Sequence, residues 1–504
     1  MNKLPPEIIS TIVGHLGDKT DDPHLIQDTY RLAFPYQDRI LNNSVAQYAS
    51  ISKQWQDIIE TATFRHLLLT PARLETALQL LTPSRLSRLR LVKVDCILDA
   101  DELKDQELSM SEYTDCLHER VRNIMQSLFR LLEATPPAAK PLVTIHLSIP
   151  LPSYVFVASL WAHPWHDIPR PSNLPIISMD RNLVDVGSKS VTYLKLAQEV
   201  YQELPDLPMV STFMVSLDAY GVAFEPRFIC LLASKMSRLE TVQWEFSDAE
   251  KRNRELRIRQ RDGLVDNMDK LPLSVKDFTI RYIREMPRDD TIEPPSMVPA
   301  GQVDRLSRAL RQFSLRPNVE SFIFDGCVDS EILWPSNIDD GLPHWPNMRF
   351  FAVKMASVLP SGKWVALLDP DDEERGAGAQ QIPNSIPGED RLRETRAPAD
   401  LQIFDKLCLA SGKAAGQMPN LEHPFVSFGG DNDRSKWADT SLSFEPRRRP
   451  RLEESPLEIR AQPVLDPIEE TIKVWRETSA RLGVEFWMRL TGHYDVEDEG
   501  RDVR

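Results

Sequence analysis

One short pattern constrains this sequence more than any other feature: apolar-x-x-apolar-x-apolar, recurring behind a similar turn. It stands as Leu86/Leu89/Leu91, Leu142/Ile145/Leu147, Val210/Phe213/Val215, Leu239/Val242/Trp244, Val275/Phe278/Ile280, Val319/Phe322/Phe324 and Met348/Phe351/Val353. Apolar residues two positions apart share one face of an extended chain, so each segment predicts a strand with one buried side. Three apolar positions recur by chance every few tens of residues, and it is the flanks that give the pattern weight. Pro-Asn precedes Val319, Met348 and Leu421, Ser-Arg precedes Leu89 and Leu239, and Leu-Ser precedes Val275. Similar turn chemistry thus introduces a similar strand. Leu421 is the poorest fit, because Pro424 occupies its second apolar position.

The starts at 210, 239, 275, 319 and 348 are separated by 29, 36, 44 and 29 residues. That spacing overlaps the leucine-rich-repeat range and exceeds it where loops are inserted. Phe228–Met236 and Val303–Phe313 carry apolar residues at helical spacing within the gaps. Parallel strands require such crossovers, so the segments from Val210 to Val353 are expected to lie mostly parallel and adjacent in one sheet. The fold class is therefore α/β.

The first 70 residues read differently. Pro5-Pro6-Glu7 suits the first turn of a helix, with Ile8, Ile9, Ile12, Val13 and Leu16 placed on one face. Ser52 is positioned to cap a second helix bearing Trp55, Ile58, Ile59 and Ala62. Residues 17–44 between them exceed a normal helix connection, and a helical turn is expected around Leu25–Leu32.

Length and composition narrow the function. A chain of 504 residues with 41% apolar and 27% charged residues can bury a large core. Its 75 acidic against 60 basic residues, a formal charge of −15, argue against nucleic acid as a partner. Five scattered cysteines without a Cys-x-x-Cys pair fit a reducing compartment. The most apolar stretch, Leu147–Ala162, is broken by Pro150 and Pro152, and no signal pattern opens the chain, so neither secretion nor a membrane span is expected.

No Gly-x-Ser-x-Gly, His-Glu-x-x-His, P-loop or Gly-x-Gly-x-x-Gly occurs. No catalytic residue, cofactor or metal ligand is therefore nominated, and the expectation is a binding protein and not an enzyme. His163 and His166 lie beside Trp161 and Trp165 but lack a second ligand pair for zinc. The basic runs 251–261 and 447–451 read as solvated faces, with nuclear import as the sharper alternative. The acidic cluster Asp371–Glu374 lacks calcium-loop spacing.

Residues 4–16 and 45–69 resemble an F-box, through Leu4-Pro5-Pro6-Glu7-Ile8-Ile9 and Ile51-Ser52-Lys53-Gln54-Trp55. The element Tyr48–Gln56 is similar to one that recurs in fungal F-box-like proteins with a degenerate leucine-rich domain. The resemblance implies docking to a Skp-type adaptor and, through it, a cullin of an SCF ubiquitin ligase, with the repeat domain holding a protein substrate. Adaptor contacts would then fall on Leu4, Pro5, Ile8, Ile9, Ile12 and Leu16, with Trp55 supporting the helices. The family joins its first two helices closely, whereas residues 17–44 intervene here.

The expected layout is a helical F-box-like segment over 1–70 and an irregular leucine-rich-repeat-like solenoid of parallel strands and helical crossovers over 71–368. An acidic disordered linker over 369–400 and a closing part over 401–495 follow. Glu285–Gln302 and Phe444–Pro467 are also read as unpacked. Ile468–Leu490 recovers helical or strand pattern around Trp475, Phe486 and Trp487. The expected location is cytoplasmic or nuclear. The alternative reading is a leucine-rich interaction scaffold, unconnected with ubiquitination, whose N-terminal helices only cap a core.

Overall fold

The computed structural model describes residues 5–17, 43–96, 110–136, 140–149, 192–217, 222–248, 253–284, 293–337, 341–368, 396–428, 441–444, 457–460, 467–483, 486, 488–491 and 501–503. The fold is mixed α/β. The chain divides into two compact units, Met1–Ser172 with Leu194–Tyr220 and Lys235–Leu239, and Asn173–Tyr193 with Gly221–Ser234 and Glu240–Arg504.

In the first unit α1 (Pro6–Gly17), a 3-10 helix (Asn43–Ser50) and α2 (Lys53–Thr63) precede β1 (His66–Leu69). Then come α3 (Pro71–Leu80), β2 (Leu91–Asp95), α4 (Met110–Glu133), β3 (Val143–Ile149) and β4 (Val210–Leu217). The strands pair in parallel in the order β1-β2-β3-β4. Leu117, Val121, Ile124, Leu128 and Leu132 recur at helical spacing on α4 and are all buried.

The second unit contains α5 (Pro226–Ser234), β5 (Thr241–Ser247), α6 (Arg254–Val265), β6 (Asp277–Ile283), α7 (Arg305–Ser314), β7 (Ser321–Gly326) and β8 (Phe350–Met355). It continues with α8 (Leu401–Ala415), β9 (His423–Phe428), β10 (Ser441–Phe444), β11 (Leu457–Arg460), α9 (Glu469–Leu482), β12 (Met488–Thr491) and β13 (Arg501–Val503). Strands β5 to β9 are parallel neighbours. Antiparallel β10 and β11 follow, β12 joins β11 in parallel, and β13 closes antiparallel.

The recurring pattern marks a turn plus a strand and not a strand alone. Leu239, Val275, Val319 and Met348 are buried, yet the strands begin two residues after each. Leu239, Val275 and Val319 close a turn by donating their N–H to the carbonyl three residues back, on Met236 (2.9 Å), Pro272 (3.3 Å) and Arg316 (3.1 Å). The asparagines of the Pro-Asn flanks bind each turn to the preceding one. Asn318 Nδ2 donates to Leu273 O (2.6 Å), Asn347 to Pro317 O (2.7 Å) and Asn420 to Pro346 O (2.8 Å). The second and third apolar positions then align across strands as Phe278, Phe322 and Phe351, and as Ile280, Phe324 and Val353. Phe278 stacks on Phe322 and Phe322 on Phe351, with centroids 5.7 and 5.4 Å apart.

Two register assignments change. Val92 lies opposite Ile145 and Val94 opposite Leu147, so the first set is Leu89/Val92/Val94 and not Leu86/Leu89/Leu91. Leu86 instead ends a one-turn helix, and Leu89 N–H closes onto its carbonyl at 3.1 Å. The Leu421 segment is a full member of the series: its strand β9 sets Pro424 opposite Phe351 and Val426 opposite Val353. Pro424 brings no N–H to the ladder, and pairing continues through its neighbours.

Segments expected to be unpacked are ordered in part. Arg396–Ala399 pairs antiparallel with Ala366–Leu368, and Asp400 Oδ1 caps α8 by accepting from Gln402 N–H (3.0 Å) and Ile403 N–H (3.2 Å). Met297 is buried and its N–H donates to Pro360 O at 2.8 Å. Low apolar content gives no sign of such backbone pairing, which needs few side chains. Residues 18–42, 285–292, 369–395, 445–456 and 461–466 lie outside the described residues, as do the expected turn at Leu25–Leu32, the acidic cluster Asp371–Glu374, the basic run 447–451, His163 and His166.

Candidate protein-interaction site

The helix α1 starts where its sequence dictates. Ile8 and Ile9 N–H both donate to Pro5 O, at 3.1 and 3.2 Å, and Glu7 sits in the first turn where the helix dipole favours it. At the head of α2, Ser52 Oγ accepts from Trp55 N–H at 3.4 Å. These helices and the 3-10 helix share an apolar cluster of Ile9, Trp55 and Ile59, against which Ile12, Tyr48, Ala49, Ile58 and Ala62 pack. Tyr48 and Trp55 meet as tilted rings 6.5 Å apart.

The residues nominated for docking therefore separate. Ile9 is fully buried, Trp55 is buried and Ile12 is partly buried, all within this cluster. Pro5 and Ile8 face solvent, Ile8 with 47% of its surface exposed. Leu4 and the side chain of Leu16 lie outside the described residues. Adjacent positions on a helix point about 100° apart, so Ile8 and Ile9 could not serve one surface equally. Ile51, 40% exposed, adds a second outward apolar residue.

Sequence reading missed how α2 is anchored. Arg85 Nη2 donates to Glu60 Oε1 at 3.0 Å, and Arg88 donates through Nη1 to Asp57 O (2.8 Å) and through Nη2 to Asp57 Oδ1 (3.2 Å). Partial burial would raise the Glu60 carboxyl. The hydrogen bonds from Arg85 and Gln56 and the charges of Arg85 and Arg88 outweigh it and hold the group below its ordinary value. Arg85 also lies over the Phe64 ring, 4.9 Å from its centroid.

Side-chain alternation places polar residues on the strand face opposite the aromatic core. In the second unit Glu245, Arg281, Asp325 and Lys354 stand in one row across β5 to β8. Arg281 pairs with Glu245 at 2.9 Å and with Asp325 at 3.7 Å. In the first unit His146 Nε2 lies 3.0 Å from Ser216 Oγ, and Lys93 lies 3.4 Å from Asp95, which also accepts from Ser148. Burial and the charge of Lys93 push His146 down to about 4, so it is neutral at pH 7.

The described part of the basic run 251–261 is a solvated face only in part: Arg254 and Arg259 are exposed, whereas Arg257 and Arg261 are buried. Within α6, Arg257 Nε donates to Asp248 Oδ1 at 2.6 Å, and Arg261 reaches both oxygens of Asp304 at 3.0 Å and Cys327 O at 2.9 Å. All four charged side chains are buried. Asp304 in turn caps α7 through Ser307 N–H at 2.9 Å. Arg257 and Arg261 thus neutralise carboxylates at strand and helix ends, and the partner Asp304 lies too far along the chain for spacing to disclose it.

Among the described residues no group of His, Cys, Asp and Glu could hold a metal ion, and no helix is long and apolar enough to cross a membrane. Comparison of the sequence with known proteins matches neither a family model nor a curated protein.

Proposed function

We propose that this chain is an F-box-like substrate receptor, which docks a Skp-type adaptor of an SCF ubiquitin ligase and holds a protein substrate on a leucine-rich-repeat-like domain. The observation that carries this reading is a helical element with an apolar core of its own, Ile9, Trp55 and Ile59, that turns Pro5, Ile8 and Ile51 outward. An exposed aliphatic side chain gains about 1.5–3 kcal/mol on full burial, which a partner's apolar groove would supply. The turn-strand units joined through Asn318, Asn347 and Asn420 support the repeat-domain half of the proposal. On this reading the receptor works in the cytoplasm or nucleus, uses no cofactor and has no catalytic residue of its own.

The ion pairs that tie α2 to the segment leading into β2 favour a second reading, in which the helices cap a repeat scaffold that has no link to ubiquitin. Affinity purification from the native cells, with identification of bound proteins, separates the two. Stoichiometric adaptor and cullin support the receptor; their absence alongside other abundant partners supports the scaffold.

A further inference from the structure

Among the described residues, the apolar cluster of the helical element draws on α1, the 3-10 helix and α2. The element is therefore not held to the first strand-helix repeat through that cluster. Three ion pairs cross from α2 to the segment leading into β2: Arg85 to Glu60, Arg88 to Asp57 and, at 3.8 Å, Arg88 to Glu60. Arg88 contributes two donors to one residue, the Asp57 carbonyl and carboxylate, which fixes direction as well as distance. Arg85 is held at its own end by Leu80 O (3.0 Å), and it also lies over the ring of Phe64, which closes α2.

We propose that Arg85 and Arg88 are positioning residues that clasp the helical element to the first repeat, so that a docked partner and the repeat sheet keep one fixed relative orientation. The clasp rests on the receptor reading for its purpose, but its existence is testable without any partner. Guanidinium forks suit the task because their planar donors define an angle that a lysine ammonium does not.

The test uses the full chain carrying spin labels at the exposed positions Lys53 and Gln79, in a Cys116→Ser background, with interlabel distances measured by pulsed electron resonance. A single narrow distribution is expected for the parent. It should broaden at least twofold in Arg85→Gln/Arg88→Gln, with the α-helical circular dichroism unchanged, and remain partly broadened in Arg85→Lys/Arg88→Lys. Should the glutamine variant unfold, the charge-reversed pair Glu60→Arg/Arg85→Glu is read instead: a narrow distribution there, with broadening in either single variant, supports the clasp. A distribution that is broad in the parent, or equally narrow in the parent and the glutamine variant, overturns it. Adaptor titration of the same proteins keeps the two claims apart. A parent that shows the clasp but binds no adaptor refutes the receptor reading alone.

Discussion

Asp329 lies at the turn after β7, where its N–H donates to Ser307 Oγ (3.1 Å) and its Oδ1 accepts from Glu331 N–H (3.0 Å). Burial first, then the charge of Asp304, pushes its carboxyl from 3.8 up to about 6. A folded value above the unfolded one means that the neutral acid favours the fold. Its contribution is complete below about pH 4 and is lost as pH rises through about 6. Asp329→Asn keeps an acceptor for Glu331 and removes the charge. Urea unfolding of this variant relative to the parent should show a gain of roughly 1–3 kcal/mol on going from pH 4 to pH 8. An equal difference at both pH values would sink this assignment. Ile9→Asp places a charge in the cluster with Trp55 and Ile59, and should cost several kcal/mol of that element's stability. Far-ultraviolet melting should therefore show early loss of the N-terminal helices.

Asn318, Asn347 and Asn420 each join one turn to the turn before it. Asn347→Ala removes the bond to Pro317 O and should lower unfolding stability by about 0.5–1.5 kcal/mol. Gly362 has φ +85°, and a Cβ there would stand 2.1 Å from Pro294 O. Gly362→Ala is therefore expected to cost about 2 kcal/mol or more, by strain and by displacing the 293–302 segment. A neutral result would show that this segment is not packed. Much of the strand series was legible, because Phe278, Phe322 and Phe351 repeat at a spacing that only an aligned sheet buries together. The Pro-Asn flanks were legible as turns, but the carbonyl that each asparagine reaches lies a repeat away in sequence. The Leu86 register was misplaced because a one-turn helix ends there, and Leu421 was undervalued although pairing continues past Pro424. The pair of Arg261 with Asp304 was illegible because the two lie 43 residues apart, whereas Asp248, the partner of Arg257, lies only nine residues away.

In the whole molecule, a helical element with its own small core is tied by the ion pairs of Arg85 and Arg88 to the segment that leads into β2. Ile8 and Ile51 are left exposed, while Ile9 serves the fold. The docking proposal therefore makes unequal demands on neighbouring residues, and Ile8 against Ile9 is the pair that exposes them. The most direct measurement is calorimetric titration of the full chain with a purified Skp-type adaptor, comparing the parent with Ile8→Asp and recording the melting temperature of both. The expected result is saturable one-to-one binding by the parent and at least tenfold weaker binding by Ile8→Asp, with melting temperatures that agree. A parent that does not bind, or an Ile8→Asp protein that binds as tightly as the parent, would contradict docking through this face.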